Sequence, residues 1–156
     1  MKSLTVYFSQ YGNTRKVAEA IAEGLSAGGQ ARVIPMHQLM DSGFDGVDLL
    51  VMGTPTHRMK LPEAVQAVFD NLDKRMLRGT AVAAFDTSYR MSPFLTRMTA
   101  AKKLAKRLRK LGGKPVVAPE TFHVVEKEGP LYDGEVERAR AWAESIRERL
   151  DGRGNR

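Results

Sequence analysis

The stretch from residue 4 to residue 25 constrains the fold of this chain more than any other. Its first five residues are apolar, β-branched or aromatic, which is typical of a buried strand. The next five form a polar turn with one glycine, after which Val17, Ile21 and Leu25 recur at helical spacing. The sequence therefore predicts a strand that turns directly into a helix.

A turn of this kind can bind an anion, because the first backbone N–H groups of a helix lack partners within it and the helix dipole favours negative charge there. Ser9, Asn13 and Thr14 add side-chain donors. The turn contains no lysine, so it is not a Walker loop, and it lacks the three glycines of a dinucleotide-binding fingerprint. We expect a monophosphate held by amides and hydroxyls; the alternative is a plain turn whose hydroxyls only cap the helix.

The bulk composition is that of a single domain, which we place at residues 1–150 with a flexible tail at 151–156. The chain has 156 residues, of which 42% are hydrophobic, enough for a proper core. It has no cysteine, which excludes disulfides and thiolate metal sites, and its three histidines show no metal-ligand spacing. No apolar run is long enough for a membrane helix and no signal peptide is visible. The lack of cysteine suggests a cytoplasmic protein.

Strand and helix patterns alternate along the chain. After the first strand, strands are predicted at 31–36, 47–53, 80–85 and 114–118, the last of them continuing at 121–125. Helices are predicted after the third, fourth and fifth strands, including one continuous helix at 94–111. This order predicts an α/β fold with helices on both faces of a five-stranded parallel sheet in the order 2-1-3-4-5. A ligand should then lie where the loops after strands one, three and four meet.

Two of these loops carry a family resemblance. Ser9-Gln10-Tyr11-Gly12-Asn13-Thr14, after a first strand, resembles the phosphate loop of flavodoxins, which holds the 5′-phosphate of FMN. Gly53-Thr54-Pro55-Thr56 resembles the second flavin loop of flavodoxins and of the related FMN-dependent quinone reductases. The segment 86–90 stands where their third flavin loop would be. The resemblance covers the chain in element order and implies a single-domain, flavodoxin-like three-layer sandwich with noncovalently bound FMN.

The resemblance also implies which residues bind the cofactor. The phosphate would lie at the first loop and the isoalloxazine between the other two, with Tyr89 stacked on the ring. No side chain is expected to act as a catalytic acid or base, and no metal is expected. The cofactor-binding residues so implied are Ser9, Gln10, Tyr11, Gly12, Asn13, Thr14, Thr54, Pro55, Thr56, His57, Arg58, Asp86, Thr87, Ser88, Tyr89 and Arg90.

The positive charge of the chain is concentrated in one segment. The net charge is +7, and residues 97–114 contain eight basic residues and no acidic one, which leaves 17 basic against 18 acidic residues elsewhere. Such a run is most often a solvated helix face, but it also suits an acidic protein, an anionic membrane surface or nucleic acid. No motif indicates sequence-specific nucleic-acid recognition. Arg58, Lys60 and Arg90 near the expected ring predict a higher reduction potential than that of acidic flavodoxins.

Three functions are compatible with these observations. The leading interpretation is a redox protein that transfers electrons through noncovalent FMN to an unidentified partner protein, for which an acidic protein is one candidate. An FMN-dependent NAD(P)H:quinone oxidoreductase is the second. The third is a flavin-free module of the same fold that uses the basic helix at 97–114. The sequence predicts no oligomeric state.

Overall fold

A computed structural model describes residues 1–56, 60–90, 92–96 and 99–154 of the chain. The strands are β1 (Lys2–Tyr7), β2 (Gln30–Pro35), β3 (Leu49–Pro55), β4 (Ala81–Tyr89), β5 (Lys114–Pro115) and β6 (Glu120–Val124). The helices are α1 (Asn13–Ser26), α2 (Leu39–Ser42), α3 (Glu63–Asp70), α4 (Pro93–Thr96), α5 (Ala100–Lys110) and α6 (Glu135–Gly154), with a 3₁₀ turn at Met36–Gln38.

The sheet has the predicted parallel order, β2-β1-β3-β4-β5. Two short strands share its last position: β5 pairs with the start of β4, and β6 pairs with the end of β4. The interruption lies between Pro115 and Pro119, and proline has no N–H with which to continue a ladder of hydrogen bonds. The predicted continuation of the fifth strand beyond Pro119 is therefore confirmed.

Helices cover both faces of the sheet, so the predicted three-layer architecture is confirmed. Successive residues of β3 point to opposite faces: Leu50 and Met52 belong to the core beneath α3 and α5, whereas Leu49 and Val51 belong to the core beneath α1 and α6. All four side chains are fully buried. A strand that is buried on both faces has a continuous apolar sequence, which is why β3 could be predicted.

Strand β4 is longer than the sequence suggested. It was expected to end at Phe85, but it continues to Tyr89, so most of the predicted loop at 86–90 is strand. The reason is that β4 lies between two partners: Asp86 stands opposite Thr54 of β3 and opposite Thr121 of β6. The polar residues that end this central strand are thereby held by backbone hydrogen bonds on both sides.

The predicted continuous helix at 94–111 is wrong. Two helices, α4 and α5, are separated at Thr99, whose φ of −69° and ψ of 163° are those of extended backbone. Helix α5 begins at this point because its first two amides find acceptors outside the helix. Ala100 N–H donates to Thr56 Oγ1 (3.0 Å) and Ala101 N–H donates to Asp86 Oδ2 (3.2 Å). At the other terminus, α6 extends through residue 154, so the first four residues of the predicted tail are helical.

Strand β6 is fixed to α6 by two charged side chains. Glu135 accepts a hydrogen bond from the His123 N–H (2.6 Å) and one from Arg138 Nη2 (2.7 Å), while Arg138 Nη2 also donates to the Thr121 carbonyl (2.5 Å). Burial acts to raise the pKa of Glu135, but the hydrogen bonds from Arg138 and His123 outweigh it, so its pKa is lowered. This clamp satisfies backbone groups at a sheet edge and positions the loop that follows β6.

Candidate flavin site

The loops after β1, β3 and β4 meet at the carboxyl edge of the sheet, as predicted, and form a cleft of about 440 Å³ counted to its open mouth. The loop after β6 completes the wall. The residues that line the cleft are Ser9, Gln10, Tyr11, Asn13, Thr14, Pro55, Thr56, Thr87, Ser88, Tyr89, Val124 and Lys127. Ligand sites in open parallel sheets occupy this position, because the strand order reverses between β1 and β3.

The amino end of α1 opens into this cleft without a cap. Gly12 precedes the helix with a φ of 89°, no side chain caps the helix, and its first turn has no acidic residue. The Ser9 hydroxyl instead accepts the N–H of Gly12 (3.1 Å), inside the turn. The first three amides of α1 therefore lack a helical partner and are available to an anion. The alternative, a turn whose hydroxyls only cap the helix, does not describe this geometry.

Two side chains of the first loop tie the cleft walls together. Thr14 Oγ1 lies 2.8 Å from Thr87 Oγ1, which joins the loop after β1 to the end of β4. Asn13 Nδ2 donates to the Glu128 carbonyl (3.1 Å) and so holds the loop after β6 over the helix terminus. A Cβ at Gly129 would lie 2.7 Å from Asn13 Oδ1, so glycine permits this close approach.

Two tyrosines face the open part of the cleft. Tyr89 is 46% exposed and Tyr11 is 45% exposed, and both line the cleft. A half-exposed aromatic ring beside a cleft offers an apolar face to a planar ligand, which is the role predicted for Tyr89. His57 and Arg58, also predicted to contact the ring, lie outside the described residues.

Asp86 and Thr54 were expected to contact the cofactor, but both are fully buried and neither lines the cleft. The Asp86 carboxylate accepts hydrogen bonds from the Thr56 hydroxyl and from the amide of Ala101, so it joins the second loop to the start of α5. Asp86 therefore supports the cleft wall from below.

The environment of Asp86 has opposing effects on its ionisation. Burial raises the pKa of this carboxyl, while hydrogen bonds from Thr56, Thr121, the Ala101 amide and Thr99 lower it; burial has the larger effect. Within the described residues, Asp86 Oδ1 has no partner at ordinary hydrogen-bond distance, so Thr99 and Thr121 act on the carboxylate through longer contacts.

The other charged residues predicted beside the ring are directed elsewhere. The Arg90 guanidinium lies 3.8 Å from the centroid of the Tyr132 ring, and Arg90 does not line the cleft. Lys60 is exposed and lines a separate groove between α3 and α5. The expectation of a raised reduction potential stays a prediction, and the structure gives it less support than the sequence did.

Sequence reasoning missed two cleft residues, Val124 and Lys127. Lys127 is the one basic side chain among the described residues that line the cleft. Both come from the end of β6 and the loop after it, which the split of the fifth strand brings beside β4. The sequence does show a charged loop after this strand of the parallel sheet, which is a signal of a ligand-binding loop. It does not show that this loop folds back over α1.

Gly12, the remaining loop residue predicted to bind the cofactor, shapes the loop through its positive φ without lining the cleft. Across the part of the chain that the structure describes, no group of three or more His, Asp or Glu side chains is placed to hold a metal. Nor is any helix in that part both long and apolar enough to cross a bilayer.

Comparison with known proteins agrees with this architecture. The chain is similar in structure to a flavodoxin from the domain Archaea (19% identity, TM-score 0.76, covering 97% of this chain and 99% of that one). It is also similar to oxidised flavodoxin 2 from Bacillus cereus (23% identity, TM-score 0.72, 95% and 99% covered). A third similar structure is a WrbA-like flavodoxin from Agrobacterium tumefaciens (19% identity, TM-score 0.68, 94% and 95% covered).

These identities are low enough that the structural likeness shows the fold alone. The family itself is shown by the sequence profile described as Flavodoxin, which matches residues 6–153, nearly the whole chain. Membership implies a flavin cofactor, and the cleft just described is lined by the uncapped amino end of α1 and by two half-exposed tyrosines. The chain belongs to the flavodoxin family, as a flavodoxin-like flavin redox protein.

Proposed function

We propose that this protein binds FMN and works as an electron carrier. The observation that carries the proposal is the uncapped amino end of α1, which opens into a cleft lined by hydroxyls and by two half-exposed tyrosines. A phosphate needs donors at one end of such a cleft and a flavin ring needs aromatic faces at the other.

The residues of the cleft divide by chemistry into three groups. The first amides of α1, with the Ser9 and Thr14 hydroxyls and the Lys127 ammonium, suit the phosphate. The hydroxyls of Thr56, Thr87 and Ser88 suit a ribityl chain. Tyr11 and Tyr89 suit the ring, which supplies one- and two-electron chemistry when bound.

A carrier needs binding and electrostatics from the protein but no acid or base. Among the described residues that line the cleft, the ionisable side chains are Tyr11, Tyr89 and Lys127, and none of them is a histidine or a carboxylate, the usual groups of acid–base catalysis. This chemistry favours a carrier over a quinone reductase. A steady-state assay of NAD(P)H oxidation with a quinone separates the two: we expect no turnover above that of free FMN.

The proposal is tested by titrating the apoprotein with FMN and following flavin fluorescence. Thr14→Val removes a hydroxyl beside the expected phosphate, and a lost hydrogen bond to a charged group corresponds to about 1.5–3 kcal/mol, or roughly 10- to 100-fold in Kd. Thr5→Val is the matched control, because Thr5 is fully buried in β1 and its hydroxyl has no partner among the described residues. It should leave FMN affinity unchanged.

Two outcomes would contradict the proposal. A folded wild-type protein that does not bind FMN has no flavin site of this kind. A Thr14→Val variant that binds FMN as tightly as wild type places the phosphate elsewhere. After loading, reduction by dithionite and reoxidation by an added acceptor should be reversible over repeated cycles, as a carrier requires.

A further inference from the structure

A second concave surface lies between α3 and α5, and its walls are strongly basic. We call it the basic groove and define it by its cations, Lys60, Lys103, Lys106, Arg107 and Lys110. The groove has about 870 Å³ of space counted to its open mouth. The described residues of its lining include no acidic one, and Asp70 lies 3.9 Å from Arg107 in the adjoining depression.

The groove begins near the flavin site. Lys60 follows the second flavin loop, four residues after the cleft residue Thr56. Helix α5 also starts at that loop, since its first amide donates to Thr56 Oγ1. From there α5 runs for about 16 Å, at about 1.5 Å per residue, toward the opposite edge of the sheet, where Lys110 ends it. The groove thus extends from the rim of the proposed flavin site down one side of the molecule.

The distribution of charge gives this surface a positive electrostatic potential that can orient an approaching partner. Outside residues 97–114 the chain has 17 basic and 18 acidic residues, so the positive excess is located on and around α5. A protein with one basic side attracts and orients an acidic partner during diffusion. The orientation would bring that partner to the side of the molecule where the groove meets the flavin loops.

Several features favour a protein over a lipid surface or a nucleic acid. The site is concave, whereas a bilayer surface is flat. None of the large apolar side chains that are exposed in the described residues lines the groove, so no described side chain there is placed to insert into a membrane. Phe69, the aromatic residue of the adjoining depression, is 5% exposed and has Arg107 over its ring, so it offers no stacking platform for bases. Lysine outnumbers arginine four to one, although arginine is better suited to bidentate phosphate contacts.

We propose that the basic groove docks an acidic protein, the redox partner of this chain, with its carboxylates along α5 and its electron-transfer centre toward the flavin loops. This inference rests on the proposed electron-carrier function for the identity of the partner as a redox protein. The groove itself and its preference for a carboxylate-rich surface do not depend on flavin binding.

The test measures binding of a small acidic [2Fe–2S] ferredoxin by isothermal titration calorimetry, with the FMN-loaded full chain at 20 mM and at 300 mM salt. The triple variant K103Q/K106Q/K110Q removes three charges from the groove. The matched control R147Q/R149Q/R153Q removes three charges from α6, which packs on the sheet face opposite α3 and α5. We expect the groove variant to weaken binding at least tenfold at 20 mM salt, and the control to change it less than twofold.

Salt should reduce the wild-type affinity at least tenfold, because the Debye length falls from about 20 Å to about 6 Å over this range. Equal loss in the two triple variants, or no wild-type binding at 20 mM salt, would overturn the proposal. So would tighter binding of anionic lipid vesicles or of a DNA duplex than of the ferredoxin, with the same dependence on the three lysines.

If the proposed carrier function is wrong, the binding results differ from those expected if the docking surface is wrong. FMN retention is read from visible absorbance before each titration, and the calorimetric measurement is repeated with apoprotein. If the protein binds the ferredoxin but not FMN, the carrier function is refuted and the proposed docking surface stands. Intact FMN binding with no effect of the groove variant removes the docking surface alone.

Discussion

Replacing Asp86 tests how the sheet holds the second flavin loop and the start of α5. In Asp86→Ala the Thr56 hydroxyl and the Ala101 amide lose their common acceptor in a fully buried position. A buried donor left without an acceptor costs about 1–3 kcal/mol, so two cost about 2–6 kcal/mol. Removal of the buried charge offsets part of this. We expect a net loss of about 3 kcal/mol, or about 6–12 °C in Tm for a domain of this size.

Asp86→Asn separates the acceptor from the charge. The asparagine carbonyl can accept both hydrogen bonds, and its amide can donate to the nearby threonine hydroxyls, so we expect stability within about 1 kcal/mol of wild type at neutral pH. The pH dependence should differ. Because burial raises the native pKa of Asp86 above its unfolded value, the native state binds the proton more readily, and ionisation destabilises the fold. Wild type should therefore lose stability relative to Asp86→Asn as the pH rises from about 4 to 7.

The assay is urea denaturation of the three proteins, followed by circular dichroism, at several values of pH between 4 and 7.5. Asp86→Ala as stable as wild type would refute the assigned hydrogen bonds. A wild-type stability that rises relative to Asp86→Asn over this range would refute the direction of the pKa shift.

Three further predictions concern the ring, the packing behind the second loop and the β6 clamp. Tyr89→Ala should weaken FMN binding about tenfold by fluorescence titration, while Tyr89→Phe should bind as wild type; equal affinity of all three removes Tyr89 from the ring site. Gly53→Ala should destabilise the fold by about 2 kcal/mol or more in urea, because its Cβ would lie 2.0 Å from Phe85 Cζ, and a neutral effect would show that Phe85 can move. Glu135→Gln should lower the free energy of unfolding at neutral pH by about 1–3 kcal/mol. It should also reduce the loss of stability in acid, because the lowered pKa of Glu135 contributes stability that is lost as the pH falls through that pKa. An unchanged dependence of stability on acid pH would refute this prediction.

The sheet order could be predicted because it depends on local patterns. Apolar runs such as β3 and the helical spacing of Val17, Ile21 and Leu25 are set by which faces are buried, and both faces of this sheet are buried. The alternation of strands and helices then leaves few topologies, since crossovers are right-handed and connections are short. The anion-binding character of the loop after β1 could also be predicted, because the donors that it supplies come from consecutive residues.

Features that depend on distant residues could not be predicted. Helix α5 begins at Ala100 because Thr56 and Asp86, far away in the chain, accept its first hydrogen bonds, whereas the apolar spacing continues through the break. The same hydrogen bonds explain why Asp86 is buried below the cleft. Likewise, Lys127 reaches the cleft because Asn13 binds the Glu128 carbonyl across the fold.

One part of the family resemblance also has a packing explanation. Gly53 ends the apolar stretch of β3 in the expected motif, but its lack of a side chain leaves room for the Phe85 ring behind the strand. A glycine at this position is therefore needed by the core, independently of any flavin.

The measurement that tests the central claim most directly compares FMN with riboflavin. The two ligands share the ring and the ribityl chain and differ only in the phosphate, which we place at the open amino end of α1. Fluorescence titrations of the apoprotein with each ligand should show FMN binding at least 100-fold more tightly, which corresponds to about 2.7 kcal/mol. Equal affinities, or no binding of either ligand to a folded protein, would contradict the account.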